Sequence, residues 1–195
     1  MRLALTACAA LMLMACGQQG SGPPLPPVQE GAQAPSTQTR PDGQVQQANI
    51  TAEQRAQFLA RVTQYLDLAT RELGGGATAA QGFVDENVAM QPGTDHRWQV
   101  DLVGGTSYRI VGACDDDCEN LDIELIDAVT GGVVASDMLA THAPPRRADF
   151  PVVEFTPQNS GRYVVRLLMQ SCSVAPCFAG ARVLSRASES GAGGK

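Results

Sequence analysis

Lysine is missing from this chain until its last position, Lys195. That excludes a catalytic Schiff base and a lysine-dependent phosphate clamp. No run of Lys and Arg occurs, and the formal net charge is -6 with a pI of about 4.8. An acidic chain repels phosphate backbones, so nucleic acid is not an expected partner. Aromatic residues are scarce at 5%, against 44% hydrophobic residues, so the core must be largely aliphatic. Histidine occurs only as His96 and His142. Neither sits in H-E-x-x-H, G-x-S-x-G or a comparable context, and no catalytic residue is expected. A hydrolase built on either histidine would need partners that a single sequence does not reveal. The length of 195 residues suits one domain.

What is present begins with a leader. Arg2 is followed by the apolar stretch Leu3 to Met14, which is shorter than the about 20 residues that span a bilayer and has the length of a signal-peptide core. It ends in Leu13-Met14-Ala15-Cys16-Gly17. This segment resembles the lipobox of bacterial lipoproteins, with an aliphatic residue three before the cysteine and a small residue just before it. Met14 departs from the usual Ala or Ser. The resemblance implies residues 1–15 as signal peptide, cleavage before Cys16, and acylation (diacylglycerol, palmitate) of the Cys16 thiol. It also implies a lipid-anchored location in the bacterial cell envelope, with Gly17 directing delivery to the outer membrane, facing periplasm or cell surface. An ordinary secretory signal is the alternative reading.

Residues 16–49 are rich in Gly, Pro and Gln, including Pro23-Pro24-Leu25-Pro26-Pro27. So little large apolar surface predicts a disordered tether, which at full extension reaches roughly 100 Å. Over 50–76 the spacing predicts one amphipathic helix. Thr51 and Gln54 form a capping box, and Phe58, Leu59, Val62, Tyr65, Leu66, Ala69 and Leu73 recur on one face before Gly74-Gly75-Gly76. The stripe is expected to pack on the rest of the domain, with docking to another chain as the alternative. From 77 to 187 short alternating runs are separated by turn residues. They start near Phe83 and continue over 97–103, 107–113, 121–127, 132–136, 151–155, 161–170 and 178–185. Trp98, Val100 and Leu102 share a face, as do Leu121, Ile123 and Leu125, and Tyr163, Val165, Leu167 and Met169. Thr130-Gly131-Gly132 reads as a hairpin turn. The fold class expected is mainly β, an antiparallel sandwich preceded by one amphipathic helix. Residues 188–195 read as a disordered tail.

The patterns Asp101-Leu102-x-x-Gly105-x-x-Tyr108-x-Ile110, Leu121-Asp122-Ile123-x-Leu125-x-Asp127 and Phe155-Thr156-Pro157-x-x-Ser160-Gly161-x-Tyr163-x-Val165 carry a second resemblance. Together they look like the pre-peptidase C-terminal (PPC) type of bacterial β-sandwich, from about Asp95 to Arg186. That resemblance implies a jelly-roll-like fold and a non-catalytic appendage, sometimes binding carbohydrate or calcium. This chain departs from the usual setting in having no peptidase attached, and in its cysteines and helix.

Four cysteines remain beyond the leader, as Cys114-x3-Cys118 and Cys172-x4-Cys177. In an oxidising compartment they read as two disulfides. Local pairing is preferred because each pair brackets a loop, with cross-pairing still open. A tetrathiolate zinc site would have unusual spacing. Between and after the first pair, Asp115, Asp117, Glu119 and Asp122 are candidate calcium ligands, although the run lacks the glycine of an EF-hand loop. Otherwise no cofactor is expected. Arg146-Arg147 and Asp149 form a stiff charged loop that would meet an anionic partner if it met any. The expected role is a non-catalytic accessory or protein-binding module with an envelope protein as partner. A glycan-binding or calcium-dependent adhesive module is the alternative.

Overall fold

The computed structural model describes residues 20–38, 45–139 and 150–186. Cys16 with the rest of residues 1–19, His142, Arg146, Arg147, Asp149 and residues 188–195 lie outside the described residues.

Among the described residues two five-stranded sheets, a two-stranded pair and one helix make up the fold. The strands are β1 (Gly20–Ser21), β2 (Gln46–Gln47), β3 (Thr78–Ala79), β4 (Glu86–Met90), β5 (Thr94–Leu102), β6 (Tyr108–Cys114) and β7 (Cys118–Asp127), then β8 (Val133–Asp137), β9 (Val152–Phe155), β10 (Gly161–Cys172), β11 (Val174–Ala175) and β12 (Cys177–Ser185). Helix α1 (Ala52–Leu73) precedes β3. The first sheet has the order β1-β5-β10-β7-β8. In the second, the order is β3-β12-β6-β9, with β4 pairing the same strand β12. A short parallel pair joins β2 to β11.

Alternation along the strands sets the core. Val100, Leu102, Leu121, Ile123, Leu125, Tyr163, Val165, Leu167 and Met169 project from the first sheet, and Ile110, Ala179, Ala181 and Val183 from the second, into one buried cluster. Trp98 sits half-buried at its margin. The β7–β8 hairpin turns where expected. Gly131 takes φ 67°, and the Asp127 carboxylate accepts from the amides of Val129 and Thr130 at 2.7 and 2.8 Å.

Each sheet also has a buried outer face. Against the second sheet lies α1, opened by the capping box: the Gln54 amide donates to Thr51 Oγ1 (3.3 Å) and the Thr51 amide to Gln54 Oε1 (2.9 Å). Val62, Leu66 and Ala69 pack on Val111, Ala113, Phe178 and Leu184, while Phe58 stacks on Phe178 at 5.1 Å. Each fully buried Val or Leu here contributes about 1.5–3 kcal/mol of transfer free energy. Arg182 on β12 ties the helix down, donating to Asp67 (2.8 Å), Thr70 (3.2 Å) and Asp85 (2.8 and 2.7 Å).

The tether expectation needs correction. The described residues of that stretch lie along the sandwich. Strand β1 pairs parallel with β5, Gly20 opposite Asp95 and Ser21 opposite His96. The chain then crosses the outer face of the first sheet to the β7–β8 turn, where the Gln29 amide donates to the Thr130 carbonyl (2.8 Å). It returns past Val133, whose amide donates to the Gln33 carbonyl (2.9 Å), and reaches Thr94 through Gln38 (3.3 Å). Composition misled because it counts apolar groups alone. A proline-rich segment loses little backbone entropy on docking, and this one docks through polar groups.

Candidate functional site

The strap over 20–38 covers charge. On the outer face of the first sheet, β5 supplies Asp95 and Arg97, β10 supplies Arg166 and β7 supplies Glu124, all at most 6% exposed. Register places Arg97, Arg166 and Glu124 in one row across three strands. Two arginines side by side repel, and Asp95 separates them. Its carboxylate accepts from Arg166 Nε on one side and lies 3.6 Å from Arg97 Nε on the other. Arg166 Nη1 donates to Glu124 Oε2 (2.9 Å) and to the Ser36 carbonyl (2.8 Å). Ser36 completes the ring, giving its amide (2.9 Å) and hydroxyl (2.6 Å) to Glu124 Oε1. Buried ions need this degree of pairing to be tolerated.

Glycine makes the close approach feasible. A Cβ on Gly20 would overlap Asp95 Oδ1, and on Gly22 (φ 98°) the carbonyl oxygen of Arg97. At the far turn a Cβ on Gly131 would overlap the Pro27 carbonyl. Sequence reading missed this cluster. The signal was charges of both signs alternating with core residues on three strands, but the strand order that joins them is not written in one strand.

The cysteines pair locally, Cys114 with Cys118 and Cys172 with Cys177. Both loops lie at one end of the sandwich and touch, with the Ser173 amide donating to the Asp117 carbonyl (2.8 Å). The candidate calcium ligands do not converge there. Asp115 turns inward and accepts from the Phe178 amide (2.9 Å). Burial pushes its carboxyl up to about 6, opposed by that hydrogen bond and helped by the nearby Asp117 and Asp116 charges. Asp122 points to the opposite side of the molecule and accepts from Gln170 Nε2 (2.6 Å). Glu119 is exposed and Asp117 half-exposed. Among the described residues no three His, Cys, Asp or Glu side chains gather in a way that would hold a metal ion. Asp116 is bound instead by the Tyr65 hydroxyl of α1, which holds the phenol above its ordinary range.

His96 lies on the inner face of β5 at the sandwich edge. Its Nδ1 is 2.8 Å from Ser21 Oγ, and its Nε2 is 3.6 Å from Glu86 Oε2 on β4. The second distance is beyond hydrogen-bond range, and the ring is held further by stacking on Trp98, with centroids 5.8 Å apart. The trio is a clasp between strap, first sheet and second sheet. An open depression of about 400 Å³ at the far end is lined by Asp101, Leu102, Val103, Ser160, Gly161 and Arg162. Its charges satisfy each other, Arg162 Nε donating to Asp101 at 2.9 Å and holding that carboxylate below its usual range.

Among the described residues no helix is long and apolar enough to cross a membrane. Compared with known proteins, the chain matches no family model and no curated sequence.

Proposed function

We propose that this chain is a non-catalytic, lipid-anchored envelope module whose sandwich binds another envelope protein. The observation that carries the reading is the pair of local disulfides, Cys114–Cys118 and Cys172–Cys177, in a chain whose leader ends in the lipobox-like Leu13 to Cys16. Persistent disulfides suit an exported protein, and several acyl chains on Cys16 give stable attachment. A non-catalytic role accords with the resemblance to PPC-type sandwiches and with the use of His96 as a clasp.

A protein partner is favoured over a glycan by what is exposed. Every Phe, Tyr and Trp of the chain lies among the described residues, and none is exposed. No aromatic platform is thus offered to a sugar ring. Strand β8 is last in its sheet among the described residues; the strap takes its Val133 amide, while Val134, Met138 and Leu139 are exposed on or beside it. An edge with apolar side chains suits strand addition by a polypeptide.

The test is capture of the tagged, lipidated protein from cross-linked envelopes, comparing wild type with Val134→Asp/Met138→Asp. One stoichiometric polypeptide, lost with the variant, is expected. Enrichment of glycan alone, or a polypeptide indifferent to the variant, would overturn the reading. Separately, Cys16→Ala should leave the membrane fraction; retention there sinks the anchor.

A further inference from the structure

Chain length and strap direction place one face of the molecule. Strand β1 runs parallel to β5, so the chain enters the fold at the end where β5 begins, at Thr94. The antiparallel pairings put the end of β10 at Cys172 and the start of β7 at Cys118 beside it. That is the disulfide end. Gly20 is seated there, its missing side chain leaving room for Asp95 and Arg97. Only Gly17, Gln18 and Gln19 separate Gly20 from Cys16. Four Cα–Cα steps span at most about 15 Å, against the roughly 100 Å of a free tether.

We propose that the disulfide end of the sandwich rests on the headgroup surface of the membrane that holds the acylated Cys16. The inference depends on the lipid-anchor reading and goes beyond it by fixing distance and orientation. The chemistry of that end fits a headgroup layer rather than the hydrocarbon. Its exposed side chains include Gln46, Gln47, Gln91, Asp116, Glu119 and Ser173. Gln47 and Gln91 bond each other at 3.1 Å. None of these would enter lipid, so the acyl chains supply the attachment and the protein supplies a polar foot. The β7–β8 turn, with Val129 exposed, then points away into the aqueous compartment.

The experiment uses the full acylated chain in phosphatidylethanolamine/phosphatidylglycerol vesicles carrying a dansyl-labelled headgroup. Trp98 is the sole tryptophan, so energy transfer from a single position can be read. In a Trp98→Phe background, Gln91→Trp reports the disulfide end and Val129→Trp the far end. Transfer from the first should exceed that from the second several-fold, since it falls steeply with distance. Inserting about 30 Gly/Ser residues between Gln19 and Gly20 gives a flexible linker and should abolish the difference while leaving the far-ultraviolet spectrum and melting unchanged. Equal, weak transfer from both positions in an acylated protein would overturn the placement. Intact mass is measured first, and a chain without acyl groups on Cys16 overturns the anchor reading together with this one.

Discussion

Replacing Arg166 with Met tests whether the strap is held by charge. Met keeps much of the stem's volume and removes the guanidinium. Arg166 is 3% exposed and joins Asp95, Glu124 and the Ser36 carbonyl. Without it two carboxylates, 6% and 3% exposed, stay buried with their main counter-charge gone. Breaking a buried pair in this way costs about 3–5 kcal/mol, a large share of the about 5–15 kcal/mol that holds a domain folded. With a urea slope of about 2 kcal/mol/M, the midpoint should fall by about 2 M. The assay is urea denaturation with both disulfides oxidised, followed by Trp98 fluorescence. Limited proteolysis should show new cleavage between Leu25 and Gln38, because Ser36 is bonded by both Arg166 and Glu124. Adding Asp95→Asn and Glu124→Gln to Arg166→Met removes the orphaned charges and should recover at least 1 kcal/mol of that loss, on the order of the difference between charged and neutral buried groups. A loss below about 1 kcal/mol for Arg166→Met, with the strap still protected, would show that the charge cluster does not hold the strap, since such a value belongs to a solvated pair.

The helix cover should fail differently. Leu66→Ala, at a fully buried position, should cost about 2–5 kcal/mol in the same urea assay, and a value under 1 would mean α1 is not seated as described. Asp115 gives a pH signature. Its folded pKa of about 6 lies above its ordinary 3.8, so the folded state binds the proton more tightly and stability rises as pH falls from 7 toward 4. Unscreened, the shift equals about 3 kcal/mol; the solvated acidic loop beside it reduces this to about 1–2 kcal/mol. Asp115→Asn should therefore melt higher than wild type at pH 7 and no higher at pH 4, and a constant difference would reject that assignment. Each disulfide closes a short loop, so Cys114→Ala/Cys118→Ala and Cys172→Ala/Cys177→Ala should each cost about 2 kcal/mol. Differential scanning calorimetry should show this as about 4–8 °C, and an unchanged melting temperature would contradict it.

Local periodicity carried most of the fold. The eight strand segments and the capped helix were legible because their signals lie within a few residues, such as Thr51 with Gln54 or Tyr163 with Val165 and Leu167. Local disulfide pairing was legible for the same reason. What escaped depends on strand order. Arg166 reads as an ordinary outward residue of β10, and only the neighbours β5 and β7 make it the hub of a buried cluster. Ser36 is 88 residues from Glu124, and no pattern in a Gln/Pro/Ser stretch announces that contact. The acidic run misled in the opposite sense. Asp115 and Asp122 are near in sequence, but the turn at Cys118 sends one into the second sheet's backbone and the other to the first sheet's outer face.

The two covers of this sandwich are thus held by different forces, and the difference fixes where the strap starts at Gly20. An apolar stripe tolerates small slides, because hydrophobic burial is non-directional. The strap is seated by directional bonds. Moving it by one residue would carry the Ser36 amide and hydroxyl away from Glu124 and its carbonyl away from Arg166. It would also bring a side chain to the positions of Gly20 and Gly22, where the backbone and carboxylate of β5 leave no room. Buried ion pairs contribute little net stability over apolar packing, but an arrangement that leaves one of their charges unpaired costs about 3–5 kcal/mol. A charged sheet face under a proline-rich strap is therefore poorly suited to adding stability and well suited to holding Gly20 at one end of the sheet. That fixed origin, four residues from Cys16, turns a segment with the composition of a spacer into one that determines which end of the domain Cys16, the proposed anchor, can reach.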